Sequence, residues 1–253
     1  MLIKAIQTEQ LHTYVYDTRS EMGLAAGRAA AQAIRTAIAE KGHANVIFAA
    51  APSQNETLAA LLAENVDFSR VNAFHMDEYA GLGLEDPQSF ARYLQDHIFS
   101  KAPFASVHFI PAKLESREAC AAYTRLLEEY PTDVVCMGIG ENGHIAFNDP
   151  PVADFNDPYR IKRVELDDVC RMQQVHDGCF PTFDDVPKYA LTLTVPALLA
   201  AGTLICTVPA PTKANAVQAM LEGPYGEVCP ATALRKHPNA KMYLDRDSAQ
   251  KVL

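Results

Sequence analysis

Residues 134–150, VVCMGIGENGHIAFNDP, carry the reading that decides the fold. Val134, Val135, Cys136 and Met137 make a short continuous apolar run, the pattern of a strand buried on both faces of a parallel sheet. Gly138, Gly140 and Gly143 follow at once, and glycine permits the positive-φ turns that lift a loop clear of a strand end. His144 is therefore expected at the carboxyl end of a strand, where open α/β sheets bind their ligands. A second run, VNAFHMDEYAGL at residues 71–82, repeats the plan and ends on Asp77 and Glu78. Alternation sends these two carboxylates to opposite faces, so one of them is expected to face the crevice.

Working outward, apolar runs near Val46–Ala51, Val71–Phe74, Val107–Ile110, Val134–Met137, Leu204–Val208 and Met242–Leu244 alternate with helical stretches. These stretches are roughly Met22–Lys41, Glu56–Glu64, Pro87–Phe99, Ser116–Glu129, Thr212–Leu221 and Ala231–Arg235. Alternation of this kind predicts an α/β class, with a Rossmann-like, largely parallel sheet and helices on both faces. Ser116, with Glu118 behind it, and Pro87, after Asp86, read as helix starts. Residues 150–187 break the pattern with prolines, aspartates and the cluster Arg160, Lys162 and Arg163, then the turn-rich HDGCFPTFDDVP. An inserted flap is expected there, either a lid or a plain surface excursion. The basic cluster reads either as an effector-phosphate site or as an exposed face. With 253 residues and no linker, residues 1–253 are expected to form one domain.

The net charge of −9 argues against nucleic acid, because a duplex binder needs a basic stripe to displace counterions. No segment approaches the roughly 20 apolar residues of a membrane span, and the first residues lack a signal-like apolar core. A soluble, cytoplasmic protein is expected. Its cysteines, at positions 120, 136, 170, 179, 206 and 229, show no CxxC or paired Cys/His spacing, so neither a metal site nor a disulfide framework is expected. Cys136 and Cys206 lie in apolar runs and read as small buried hydrophobes.

Two more strand-to-helix turns bear on chemistry: PSQNET after Ala51 and PAPTK after Val208. A helix N-terminus following a strand offers free N–H groups to an anion. Ser53, Asn55, Thr57 and Lys213, with Thr212 at a cap position, are either helix caps or parts of a phosphate cradle. Two such turns beside a carboxylate and a histidine favour a phosphorylated substrate. Asp77, near Phe74, Met76 and Tyr79, reads either as a shielded general base or as a solvated strand-end acid. His144, with Asp149 five residues on, suits a histidine oriented by a carboxylate. His75 reads as a packing residue.

The motifs FHMDEYAGL, GIGENGHIAFNDPP, VPKYALTLTVPALLAA and PTKANAVQAMLEG with TALRKHPNA occur in this order between Val46 and Ala240. In order and spacing they resemble glucosamine-6-phosphate deaminases, relatives of 6-phosphogluconolactonase with a modified Rossmann-like fold. The resemblance implies conversion of glucosamine 6-phosphate and water to fructose 6-phosphate and ammonia, with no cofactor. It assigns ring opening to His144 and the C2-to-C1 proton transfer to Asp77. It makes Asp149 the orienter of His144 and Lys213 a phosphate ligand.

Departures from the family pattern accompany the matches. Asn142 stands where many members have aspartate, and Asp149 where the family has glutamate. Ser53, Gln54, Asn55 and Glu56 replace a Thr-Gly-Gly-Thr phosphate turn, so Glu56 is expected to bring negative charge towards the phosphate. Arg171 is the nearest candidate for the lid arginine, with altered spacing across 177–183. Three other readings stay open: a lactonase, a deaminase for another amino-sugar phosphate such as galactosamine 6-phosphate, and a catalytically weak sugar-phosphate sensor. A homo-oligomer is likewise open.

Overall fold

The computed structural model describes residues 1–176 and 178–253; Asp177, within the altered 177–183 stretch, lies outside the described residues. The chain runs β1 (Leu2–Thr8), β2 (Leu11–Tyr16), α1 (Arg19–Lys41), β3 (Ala44–Phe48), α2 (Asn55–Ala63), β4 (Val71–His75), β5 (Asp77–Tyr79), α3 (Phe90–His97) and β6 (Ser106–His108). It continues through α4 (Ser116–Glu129), β7 (Val134–Met137), β8 (Ile161–Glu165), α5 (Asp168–His176), β9 (Tyr189–Leu193), α6 (Val195–Leu199), β10 (Thr203–Val208), α7 (Ala214–Glu222) and β11 (Ala240–Asp245).

Eight strands form the main sheet in the order β1-β2-β11-β10-β7-β3-β4-β6. Every neighbouring pair is parallel except the β1–β2 hairpin at the edge. Its central strands are buried on both faces. Val134 and Cys136 pack into one apolar cluster while Val135 and Met137 pack into the other, which is why they read as an unbroken apolar run. Helices α1, α2 and α3 cover one face, and α4, α6 and α7 cover the other.

Connectivity places the crevice. From β3 the chain moves outward through α2 to β4 and β6, then returns through α4 to β7 on the other side of β3 before continuing to β10. The chain thus reverses direction across the sheet between β3 and β7, and the loops beyond their carboxyl ends diverge there.

Residues 150–187 are more structured than a flap. β8 pairs antiparallel with β9, and β9 pairs antiparallel with β5, giving a second, three-stranded sheet. β8, α5 and β5 carried no strong sequence signal because each is short and mixes polar with apolar residues. The Arg160–Arg163 cluster divides among separate partners: Arg160 with Glu128, Lys162 with Asp157 at 2.7 Å, and Arg163 over the Tyr189 ring.

The two helix starts read from capping signals differ from expectation. α4 is capped by Glu115, whose carboxylate accepts from the N–H groups of Arg117 and Glu118, so Ser116 is the first helical residue and not the cap. α3 begins at Phe90 behind Ser89 and not at Pro87. The buried Glu78 carboxylate accepts from the N–H groups of Phe90 and Ala91, which fixes where free helix donors are needed.

Candidate active site

A solvent-open cleft, about 870 Å³ including the open solvent at its mouth, lies at the β3/β7 reversal. Its lining includes Asp77 after β4, His144 after β7, Ser53 and Gln54 after β3, and Lys213 after β10. Four strand ends therefore contribute to one cleft.

The His144 loop is shaped by its glycines. A Cβ at Gly140 would lie 2.1 Å from the His144 ring, so the imidazole occupies space that only glycine leaves. Gly143 has φ +83°, and a Cβ there would meet the Cys229 sulfur at 2.6 Å. Asn142 Oδ1 accepts from the His144 backbone N–H at 3.1 Å, and its Nδ2 donates to Asp149 Oδ1 at 2.8 Å. His144 Nδ1 stands 2.8 Å from the same Asp149 oxygen. Asp149, one methylene shorter than glutamate, thus reaches the His144 ring.

Burial works to raise the Asp149 pKa, but His144 beside it, with contacts from His144, Asn142 and the Cys170 thiol, brings it below the ordinary carboxylate value. His144, Asp149 and Cys170 place nitrogen, oxygen and sulfur atoms within 4.8 Å of one another. These are zinc-type donors, yet burial and the charges of Asp149 and Asp167 push the Cys170 thiol well above its ordinary pKa. Within this cluster Asp149 Oδ1 already accepts from the Asn142 amide and faces His144 Nδ1, so its place in the loop is beside the histidine.

Asp77 and Glu78 part as alternation requires. Asp77 sits where the chain leaves β4 and joins the small sheet, with Leu193 N–H donating to Met76 O at 2.8 Å beside it. Burial, reinforced by Glu78, raises the Asp77 carboxyl well above its usual pKa, the direction a general base near neutral pH requires. Glu78 turns away to the start of α3, and burial raises it to about 7. His75 is fully buried, with Nε2 accepting from Ile110 N–H at 2.7 Å, and burial lowers its pKa to about 3.

The turn after β3 solves its lack of glycine in another way. Gln54 is fully buried, with Nε2 donating to Thr207 O at 3.3 Å and to Ser53 Oγ at 3.2 Å. Room for it comes from Gly138, where a Cβ would lie 3.0 Å from Gln54 Nε2. Asn55 is absent from the cleft lining and accepts a hydrogen bond from Tyr93 OH. Thr212 lies within the 3-10 turn Pro211–Lys213 and caps no helix by its side chain. Glu56 does not reach the cleft either, because its carboxylate pairs with Arg19 Nε at 2.8 Å.

Arg171 falls outside the cleft lining. Its Nη2 donates to the carbonyls of Phe183 and Val186 at 2.9 and 3.0 Å, and its guanidinium lies over the Phe183 ring. It braces the 183–186 turn.

Several lining residues carried no expectation: Arg19, Phe90, Gln173, Gln174 and Ala210. Arg19 had a usable signal. Thr18 to Glu21 reads TRSE, the capping-box pattern, and Thr18 Oγ1 does accept from Glu21 N–H. That pattern starts α1 at Arg19 and not at Met22. Gln173 and Gln174 arrive on α5, where Gln173 Oε1 accepts from Glu141 N–H and Gln174 Oε1 from Tyr79 OH.

Residues 17–243 match the family of glucosamine-6-phosphate isomerases/6-phosphogluconolactonase. The chain belongs to this family. Glucosamine-6-phosphate deaminases of Bacillus thuringiensis (strain Al Hakam) and Bacillus anthracis (strain A0248) are each 35% identical over 192 residues, covering 75% of this chain and 71% of theirs. Among solved structures, a monomeric glucosamine-6-phosphate deaminase superposes with TM-score 0.86 at 30% identity, over 94% of this chain and 98% of its own. The 6-phosphogluconolactonase of Trypanosoma brucei shares the fold with TM-score 0.78 at 18% identity, over 99% of this chain and all of its own. No helix among the described residues is long and apolar enough to cross a membrane.

Proposed function

We propose that this chain converts glucosamine 6-phosphate and water to fructose 6-phosphate and ammonia. The observation that carries the reading is the convergence of Asp77 and His144 on one cleft that also takes Ser53 and Lys213. Relatives named as glucosamine-6-phosphate deaminases support it.

In this mechanism His144, oriented by Asp149 and Asn142, moves the proton between the anomeric hydroxyl and the ring oxygen, opening the sugar to the aldehyde. Asp77 then removes the proton from C2, made acidic by the neighbouring carbonyl, and returns one to C1. A single carboxylate serves both carbons because they are adjacent. The C2 imine so formed adds water and expels ammonia, leaving the ketone of fructose 6-phosphate. Ser53, Gln54 and Lys213 hold the phosphate, and the 150–187 segment acts as the lid, since α5 brings Gln173 and Gln174 to the cleft wall. The reaction draws on acid–base steps alone. On this reading the protein serves amino-sugar catabolism in the cytoplasm.

The test is turnover of the purified protein with glucosamine 6-phosphate, galactosamine 6-phosphate and 6-phosphogluconolactone in parallel. Stoichiometric ammonia and fructose 6-phosphate from the first compound supports the proposal. Activity confined to either of the others assigns a different substrate.

A further inference from the structure

The cleft holds a cation that the family resemblance did not supply. α1 and α2 cross in unusually close contact: a Cβ at Gly23 would lie 2.2 Å from Glu56 Cβ, and one at Gly27 would lie 2.5 Å from Ala60 Cβ. One helical turn before Gly23 comes Arg19, so the same approach lays its side chain across the start of α2. Its Nε donates to Glu56 Oε1 at 2.8 Å and its Nη2 donates to Pro52 O at 2.5 Å. Arg19 thereby lines the cleft together with Ser53, Gln54 and Lys213, while Arg171 does not.

We infer that Arg19 is a second phosphate-binding cation of this site, taking the place of a lid arginine, and that Glu56 is present to aim it. The proposal rests on the sugar-phosphate reading above for the identity of the sugar. Two features of the turn become one device: the glutamate that would repel a phosphate is neutralised by the guanidinium it orients. A planar fork fixed at Nε and Nη2 is already ordered before ligand arrives, so little rotamer freedom is lost on binding. Because the cation comes from α1 and not from the 150–187 segment, phosphate capture is uncoupled from movement of that segment.

The experiment compares the wild type with Arg19→Gln, Glu56→Gln and Arg28→Gln, by calorimetric titration with fructose 6-phosphate and with inorganic phosphate. Arg28 lies on the same helix, exposed and 3.5 Å from Glu64, and serves as a control for net charge. Arg19→Gln is expected to weaken fructose 6-phosphate binding by about 10- to 100-fold, the loss of a charge-assisted hydrogen bond. KM for glucosamine 6-phosphate should rise by a similar factor, with kcat falling less. Arg28→Gln should bind as the wild type does. Glu56→Gln removes the negative charge, but its amide oxygen can still accept from Arg19 Nε as the carboxylate does, so the guanidinium stays aimed and the variant is expected to bind at least as tightly as the wild type.

Equal losses in Arg19→Gln and Glu56→Gln would mean that Arg19 only braces the turn, and would overturn the inference. Unchanged affinity in a folded Arg19→Gln protein would do the same. Should that variant not fold, Arg19→Lys keeps the charge without the fork and is expected to bind with intermediate affinity; wild-type affinity there would contradict the role given to the fork. Arg19-dependent binding of inorganic phosphate, without binding of fructose 6-phosphate, would uphold the cation and refute the assigned sugar.

Discussion

His144 Nδ1 lies 2.8 Å from Asp149 Oδ1, and the Asn142 amide donates to that same oxygen at 2.8 Å. One carboxylate oxygen thus orients the histidine while an amide holds the carboxylate. Asn142→Asp replaces the donor with an acceptor and brings two carboxyl groups together. Like charges this close raise one pKa. The acid limb of the kcat/KM profile is expected to move to higher pH by about one unit or more, with little change in KM. A pH–rate profile of the variant checks this, and an unmoved limb would show that the amide does not hold Asp149.

Gly140 is the position where the loop accommodates the imidazole. Gly140→Ala places a methyl carbon 2.1 Å from the His144 ring, so the ring must swing away from Asp149. Displacement of a reacting group by about 1 Å costs about 100-fold in rate, and a fall in kcat of that order is expected with the fold retained. Circular dichroism alongside steady-state kinetics separates the two effects.

Asp77→Asn keeps the shape of the side chain and removes its basicity. Exchange of the substrate C2 hydrogen with solvent is expected to stop, while affinity for fructose 6-phosphate changes little. Proton NMR in deuterated buffer reads the exchange directly, and continued exchange would take the base role away from Asp77.

Much of this was legible in sequence. Val134–Met137 and Leu204–Val208 are strands buried on both faces, and such strands announce themselves as unbroken apolar runs. The β1–β2 hairpin was not legible, because β1 is a mostly exposed edge strand of mixed polarity. The small sheet escaped for a related reason: β5 is only Asp77–Tyr79, and its strand character comes from pairing with Thr192, Leu191 and Ala190 far along the chain. At the site, Asp77, His144 and Lys213 were visible because their motifs are local. The TRSE cap places Arg19 at the start of α1 but not in the cleft, since it meets Glu56 through a helix crossing that no short pattern encodes. Arg171 was misplaced because, from the sequence alone, an arginine bound to the carbonyls of Phe183 and Val186 looks the same as one facing a ligand.

Ala210 holds φ 84° and ψ 148° at the cleft wall, with its N–H donating to the Asp245 carboxylate. Non-glycine residues in this region store about 1–3 kcal/mol of strain. Ala210→Gly removes the strain and loses part of the gain to the freer unfolded chain. A net stabilisation of about 1 kcal/mol is expected, or about 2–4 °C in Tm. Calorimetry decides; a lower Tm would mean that the backbone is not strained here.

His75 is buried neutral, with its pKa lowered to about 3. Between that value and the unfolded value near 6.5 the unfolded chain binds the extra proton, so His75 contributes stability above pH 6.5 that is lost as the pH falls. Glu78, raised to about 7, acts in the opposite sense, favouring the folded state as the pH falls through 7. A comparison of variants isolates the histidine. His75→Gln can still accept the Ile110 N–H and carries no proton, so the wild type should lose about 3 kcal/mol relative to it between pH 6.5 and 4. Urea unfolding of both proteins at the two pH values gives the difference, and parallel curves would refute the assignment.

The most direct test of the central claim is the fate of the C2 hydrogen in the wild-type reaction with glucosamine 6-phosphate in deuterated water, followed by NMR with ammonia measured in the same tube. The account predicts fructose 6-phosphate and ammonia in equal amounts, with deuterium entering the product at C1 alone. Release of no ammonia, or product formed with the C2 hydrogen never removed, would contradict it.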